Sequence, residues 1–227
     1  QASLLASATA WNAWLDARPT DHWLAALPLS HVAGLGVVLR SLCSGARVTV
    51  HRRFDAAEVR QSLATNGITH VSLVPTQLAR ILDQGPVAAP HLRALLLGGA
   101  PIPPALVIRG IEAGLPVVPT YGLSEAASGV TALPAAEARR YPMSAGYPLP
   151  GMQVRVVDDA AVVAAGQTGE IQVAGPSVCD GYLDDLAASA ARLADGWLRT
   201  GDLGRLDAAG RLQVVERLDE LVISGGE

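Results

Sequence analysis

Thr69-His70-Val71-Ser72-Leu73-Val74-Pro75-Thr76-Gln77-Leu78 changes backbone period at a single residue. Thr69–Val74 is rich in β-branched and apolar side chains, as a strand requires. Pro75 then supplies the fixed φ that suits the first position of a helix. A strand running straight into a helix is half of a crossover unit, and the pattern recurs on both sides. Upstream, Asp55 can cap a helix that closes at Asn66-Gly67. Before it, Arg47–His51 reads as a strand, Val32–Cys43 as a helix and His22–Leu27 as another strand. Downstream, Leu92–Leu97 reads as an apolar strand, Pro103–Ala113 as a helix and Leu115–Pro119 as a strand. Strands alternating with helices predict an α/β fold with a parallel sheet flanked by helices. Ala2–Leu15 reads as a further helix with no strand before it.

After Val130 the texture changes. Gln153–Val157, Gly169–Val173 and Arg211–Val215 are short β-rich runs broken by Gly and Pro, with one helix near Asp184–Leu193. Asp207-Ala208-Ala209-Gly210 reads as the turn of a hairpin between Leu203–Leu206 and Arg211–Val215. The expected organisation is an incomplete α/β core over residues 1–130, a smaller antiparallel β-subdomain over 131–216, and a hinge at 217–227 that begins a further domain.

Of the 227 residues half are hydrophobic, enough for a sizeable core, and with aromatics at only 4% that core must rest on Ala, Val, Leu and Ile. The net charge of −4 and the lack of a basic run argue against nucleic acid as a partner. No run of ~18 apolar residues occurs, so no membrane span is expected. The start, Gln1-Ala2-Ser3-Leu4-Leu5, lacks a charged leader. Cys43 and Cys179 stand far apart without metal-type spacing and read as reduced thiols of a cytoplasmic protein. The composition leaves a homo-oligomer open. There is no lysine: every basic side chain is Arg or His.

Three short stretches carry polar groups suited to a nucleotide. In Thr120-Tyr121-Gly122-Leu123-Ser124-Glu125, Gly122 permits a sharp turn after an apolar strand, at the sheet end where open α/β folds bind ligands. The Ser124 hydroxyl can donate to a phosphate oxygen, the Glu125 carboxylate can hold Mg²⁺, and the Tyr121 ring offers a flat surface to a base. The same residues also read as a surface turn, with Ser124 an N-cap and Glu125 in the first turn of a helix. Asp202 sits in Thr200-Gly201-Asp202-Leu203-Gly204, and Arg217 opens Arg217-Leu218-Asp219-Glu220. A solvated ion pair with Glu216 or Asp219 is the plain alternative for Arg217.

In this order the stretches resemble the adenylate-forming (AMP-binding) acyl-CoA synthetases. Further blocks carry the likeness: Leu27-Pro28-Leu29-Ser30-His31-Val32-Ala33-Gly34, Leu97-Gly98-Gly99-Ala100-Pro101, Gly146-Tyr147-Pro148-Leu149-Pro150-Gly151, Thr168-Gly169-Glu170-Ile171 and Gly196-Trp197-Leu198-Arg199-Thr200-Gly201-Asp202. The resemblance implies an acid–thiol ligase that uses ATP, Mg²⁺ and coenzyme A and passes through an acyl-AMP. It implies that Gly99, Ala100 and Pro101 border the adenine, that Tyr121, Gly122 and Ser124 form the nucleotide turn, and that Asp202 accepts from both ribose hydroxyls. Arg217 would reach the ribose-phosphate side, Glu125 would bind the metal, and Ser124 and Glu125 would act with His31 in catalysis. His31 would border the acyl channel, and Asp219 would be the hinge. Ser124 departs from the Thr of many relatives, and Glu216 stands where a Gly is frequent. His22, His51, His70 and His91 lie outside any such block and read as structural.

Within the family, Leu27–Leu35, Thr69–Leu78 and the ending Ile223-Ser224-Gly225-Gly226-Glu227 look most like the o-succinylbenzoate–CoA branch of menaquinone biosynthesis; fatty-acyl and aryl-CoA branches share the ending. A second carboxylate on the acid would need a donor such as Ser30, Ser72 or Gln77, or a water. The family's phosphate loop and adenylation lysine are not among these residues. Residues 1–227 alone are therefore expected not to turn over ATP, and a non-catalytic adenylate-binding role is the alternative.

Overall fold

The computed structural model describes residues 1–159 and 161–217; Asp219, the expected hinge, lies outside them. In chain order the elements begin α1 (Ala2–Leu15), β1 (His22–Ala25), α2 (Val32–Ser44), β2 (Arg47–Val50), α3 (Ala56–Thr65), β3 (His70–Leu73), α4 (Pro75–Leu82), β4 (Ala94–Leu97), α5 (Pro104–Glu112) and β5 (Val117–Tyr121). A one-turn 3₁₀ helix at Ser124–Ala126 follows, then β6 (Thr131–Ala132), α6 (Ala135–Ala138), β7 (Tyr147–Pro148), β8 (Gln153–Asp158), β9 (Ala161–Val162) and β10 (Gly169–Ala174). Last come α7 (Leu186–Arg192), β11 (Leu193–Ala194), β12 (Trp197–Leu206) and β13 (Leu212–Arg217).

One sheet runs β2-β1-β3-β4-β5-β6-β7. Its first five strands are parallel, and β6 and β7 extend it antiparallel. β1, β3 and β4 are buried along their whole length, as a sheet covered on both faces demands. Alternate residues feed opposite cores. Trp23, Leu96 and Val118 pack with Trp11 of α1 and Val37 of α2. Leu24, Leu95, Leu97 and Val117 pack instead with Val59, Leu78 and Leu106 of α3, α4 and α5. The two-residue period of the strands thus decides which helices each face receives. Asp55 caps α3 by accepting from the Glu58 N–H at 3.0 Å, and Pro75 opens α4 as its sequence position implies.

The second sheet is antiparallel in the order β11-β12-β10-β8-β9, with β13 also paired to β12. Its Ile171, Val173, Leu198 and Leu212 join the core that α1 and α2 share with the first sheet. The two sheets are therefore packed on one another through common apolar contacts. Two strands sit later than their sequence suggests. The Leu115 N–H is used to close α5 on the Gly110 carbonyl at 3.0 Å, so β5 begins at Val117 and ends on Tyr121. β13 likewise continues to Arg217, which pairs in register with Asp202.

His70 is buried, stacks on Trp23 at 4.7 Å between ring centroids and lies 2.8 Å from Thr69 Oγ1 through Nδ1. Burial, against the opposing pull of Asp21, holds its pKa down from 6.5 to about 4. As pH falls through that window the unfolded chain takes up a proton the folded chain refuses, so stability declines from pH 6.5 towards 4. His70→Phe should flatten that decline in urea unfolding midpoints. Part of it should persist, because burial also lowers the pKa of His22.

Candidate functional site

The carboxyl ends of β1, β3, β4 and β5 face β12 and β13 across a two-lobed cleft, the position where open α/β sheets bind ligands. One lobe, about 510 Å³, lies between Gly99–Ile102, Tyr121, Pro142–Ala145 and Val214–Arg217. The other, about 620 Å³, extends past His31, Ser72, Gln77, Ser124 and Glu125 to Trp11 and Arg40. Gly99, Thr120, Gly122, Asp202 and Arg217 border both lobes.

The turn after β5 can be built in only one way. A Cβ on Gly122 would fall 1.5 Å from the Ser128 carbonyl oxygen, so glycine is obligatory there. Ala127 and Ser128 hold positive φ values of 49° and 90°, an uncommon state for side-chain-bearing residues. The Ser7 hydroxyl donates to the Ala127 carbonyl at 2.8 Å and ties the turn to α1. These constraints fix the backbone from which Ser124 and Glu125 project.

Asp202 is 8% exposed and multiply bonded. The Tyr121 hydroxyl donates to its Oδ2 at 2.6 Å, and the Asp202 N–H donates to Thr200 Oγ1 at 3.1 Å. Thr200 in turn donates to the Ile171 carbonyl at 2.7 Å. Arg217 Nε lies 3.6 Å from Oδ1 across the β12–β13 pair. Burial, then the hydrogen bond to Asp202, raise the pKa of the Tyr121 phenol, which therefore stays a donor. Thr200 holds the Asp202 main chain and Tyr121 orients the carboxylate, whose second lone pair on Oδ2 and whose Oδ1 can accept from a ligand.

On the other side of the turn, Glu125 accepts from the Tyr182 hydroxyl through Oε1 at 2.8 Å, and its carbonyl accepts from the Cys179 N–H at 2.7 Å. Ser124 is exposed at the cleft rim. His31 is the N-cap residue of α2, makes no side-chain cap bond and borders the larger lobe. Among the described residues no three His, Cys, Asp or Glu side chains cluster as a metal site. A cation here would rest on the Glu125 carboxylate together with ligand oxygens. Mg²⁺ is commonly held in that way, by one or two carboxylates plus phosphate, and the donor set fits it.

A buried cation lines the larger lobe as well. Arg40 is 2% exposed and lies 5.2 Å and 5.0 Å from the ring centroids of Trp11 and Trp23. Its Nε donates to the Gly36 carbonyl at 3.0 Å, while Nη1 is buried with no hydrogen-bond partner. Trp11 Nε1 and Ser72 Oγ, on residues lining the same lobe, are also buried and unpaired. No carboxylate among the described residues lies within ion-pair distance of Arg40. Burial pushes the guanidinium down to about 9, which still leaves it charged near neutrality.

The sequence model of the AMP-binding enzyme family matches residues 1–183. The chain belongs to the AMP-binding enzyme family. Curated AMP-binding relatives include the 2-succinylbenzoate–CoA ligases of Bacillus cereus (strain Q1) and Enterococcus faecalis (strain ATCC 700802 / V583). Each is 40% identical over 98% of this chain, which covers 47% and 46% of their respective lengths. Among solved structures, the o-succinylbenzoate CoA synthetase of Bacillus subtilis in complex with its acyl-adenylate intermediate superposes with a TM-score of 0.95 at 36% identity, covering 100% of this chain and 47% of that one. The N-terminal domain of FACL13 from Mycobacterium tuberculosis gives 0.88 at 30% identity, covering 96% and 55%. The chain thus spans about half the length of the curated relatives it matches.

All the family-type residues within the described range meet at one place: His31, Gly99, Ala100, Pro101, Tyr121, Gly122, Ser124, Glu125, Asp202 and Arg217 border the cleft. Two residues that the sequence does not single out act there as well: Arg40 lines the larger lobe, and Tyr182, outside both lobes, holds Glu125 from behind. Arg40 had a signal, since it is the one charge in the otherwise apolar or small-residue helix Val32–Ser44. Tyr182 had none: its partner Glu125 lies 57 residues away.

Proposed function

We propose that this chain is the nucleotide- and acyl-binding part of an ATP-dependent acid–CoA ligase that works through an acyl-adenylate and takes o-succinylbenzoate as its acid. The observation that carries the choice of acid is the buried Arg40, whose Nη1 has no hydrogen-bond partner, in a lobe whose lining residues Trp11 and Ser72 also carry unpaired Nε1 and Oγ. A lobe built for a fatty chain has no use for an unpaired cation at that depth. A dicarboxylic acid supplies what is lacking, because its distal carboxylate would pair the guanidinium and offer acceptors to the indole and hydroxyl. The relatives named 2-succinylbenzoate–CoA ligase support the same assignment. Ser72 stays among the expected donors, and Arg40 supplies the charge.

In this reading the smaller lobe takes the adenosine. Gly99, Ala100 and Pro101 border the base, and Asp202 accepts from the ribose diol in the orientation that Tyr121 gives it. The reacting carboxylate of the acid then meets the α-phosphorus near Ser124 and His31, in the larger lobe. Holding nucleophile and leaving group in line is the main contribution such a site makes to phosphoryl chemistry. Attack of the carboxylate expels pyrophosphate, and the CoA thiol later displaces AMP. Mg²⁺ bound at Glu125 would neutralise charge on the phosphate oxygens. Cys43 and Cys179 are free thiols, in keeping with a cytoplasmic placement; no described helix is long and apolar enough to cross a membrane.

The test is competition on the full-length protein between o-succinylbenzoate, octanoate and 4-coumarate, compared as kcat/KM. A site with a buried cation should reject acids lacking the second carboxylate by roughly 10⁴-fold, as sites with committed polar groups do. Preference for octanoate would move the protein to the fatty-acyl branch.

A further inference from the structure

Glu125 is gripped at two points by the segment between β10 and α7. The Cys179 N–H donates to its main-chain carbonyl at 2.7 Å, and the Tyr182 hydroxyl donates to its Oε1 at 2.8 Å. Tyr182 is itself anchored. Its N–H donates to Ser189 Oγ on α7 at 2.8 Å, and that hydroxyl donates to the Asp185 carbonyl at 2.7 Å. Asp185 caps the same helix by accepting from the Ala188 N–H at 2.8 Å. The phenol therefore reaches the carboxylate from a fixed base rather than from a loose loop.

We propose that Tyr182 is a positioning residue for the cation-binding carboxylate: by donating to Oε1 it fixes the plane of Glu125 and leaves Oε2 to meet the divalent cation. The inference rests on the reading of Glu125 as the magnesium ligand. A hard cation that keeps most of its waters and phosphate oxygens needs one protein oxygen at a set place. A carboxylate free to rotate offers that oxygen only part of the time, and an outer-shell donor removes the freedom. Tyr182 touches neither nucleotide nor acid, since it does not line either lobe.

The experiment is ATP binding by the full-length protein, followed calorimetrically across a Mg²⁺ titration, with AMP binding in the absence of metal as the reference. In Tyr182→Phe the half-saturating Mg²⁺ concentration should rise roughly 10-fold, the lower end of the range for losing an outer-shell partner. Metal-free AMP affinity should be unchanged, which also shows that the variant is folded. In a Glu125→Gln background the Tyr182 change should add nothing, because the two residues act through one contact. An unaltered or lower Mg²⁺ requirement in Tyr182→Phe would overturn the proposal, the lower value by showing that the phenol competes with the cation. Equal loss of metal-free AMP binding, or a full additive loss in the Glu125→Gln background, would also overturn it. If Glu125→Gln alone leaves the Mg²⁺ requirement unaltered, the assignment of the metal to Glu125 falls and takes this proposal with it. A failure confined to Tyr182→Phe leaves that assignment standing.

Discussion

Arg40→Met should lower kcat/KM for o-succinylbenzoate by between roughly 30- and 5,000-fold, equivalent to about 2–5 kcal/mol, the scale for truncating one partner of a buried charge pair. The loss should fall mainly on the diacid. Octanoate, which brings no second charge, should be used as well as before or better, because methionine replaces a desolvated cation with an apolar wall. Stability should respond differently. Arg40 is buried, and no carboxylate among the described residues pairs with it, so its removal relieves a desolvation cost. Against that stands the loss of its contacts over Trp11 and Trp23, worth about 1–2 kcal/mol together. The two effects oppose, and the urea midpoint should move little. A variant that loses activity on all acids in proportion to a loss of fold would show Arg40 to be a packing residue.

The second large effect is expected at Asp202. Asp202→Ala should weaken AMP binding by about 1.5–3 kcal/mol, the scale for hydrogen bonds to a charged group. The deletion removes the acceptor for the ribose diol and at the same time strands the Tyr121 hydroxyl, which now donates to it at 2.6 Å. Asp202→Asn, which keeps an acceptor oxygen, should recover part of the affinity, and Tyr121→Phe should cost less than either loss of the carboxylate. Calorimetry with AMP separates these cases. Unchanged AMP affinity in Asp202→Ala would remove the residue from the nucleotide site.

Why some of this was legible beforehand and some was not follows from the range over which each signal acts. Pro75 after Thr69–Val74, Asp55 before α3 and the glycines of the β5 turn are local signals, and the backbone obeys them locally. The shift of β5 to Val117–Tyr121 came from a competing local bond, the Leu115 N–H closing α5. Arg217 reads in sequence as a residue at the exit from the β-subdomain. The structure puts it in β13 opposite Asp202, because strand length is set by pairing with β12 rather than by its own residues. Asp202–Tyr121, Tyr182–Glu125 and Arg40 between Trp11 and Trp23 are contacts between distant parts of the chain. Single-chain periodicity carries no information about such pairs. Arg40 was the exception that composition could have exposed, because a lone charge in an apolar helix must find either solvent or a partner.

The most direct measurement compares two non-hydrolysable acyl-adenylate analogues, one with the o-succinylbenzoyl group and one with a benzoyl group lacking the distal carboxylate, on the wild type and on Arg40→Met. If one cleft holds the adenylate at Asp202 and the distal carboxylate at Arg40, the o-succinylbenzoyl analogue should bind the wild type more tightly by roughly 30-fold or more. Most of that difference should vanish in Arg40→Met, while the benzoyl analogue binds both proteins alike. Equal affinity of the two analogues for the wild type, or a difference that survives in Arg40→Met, would contradict it.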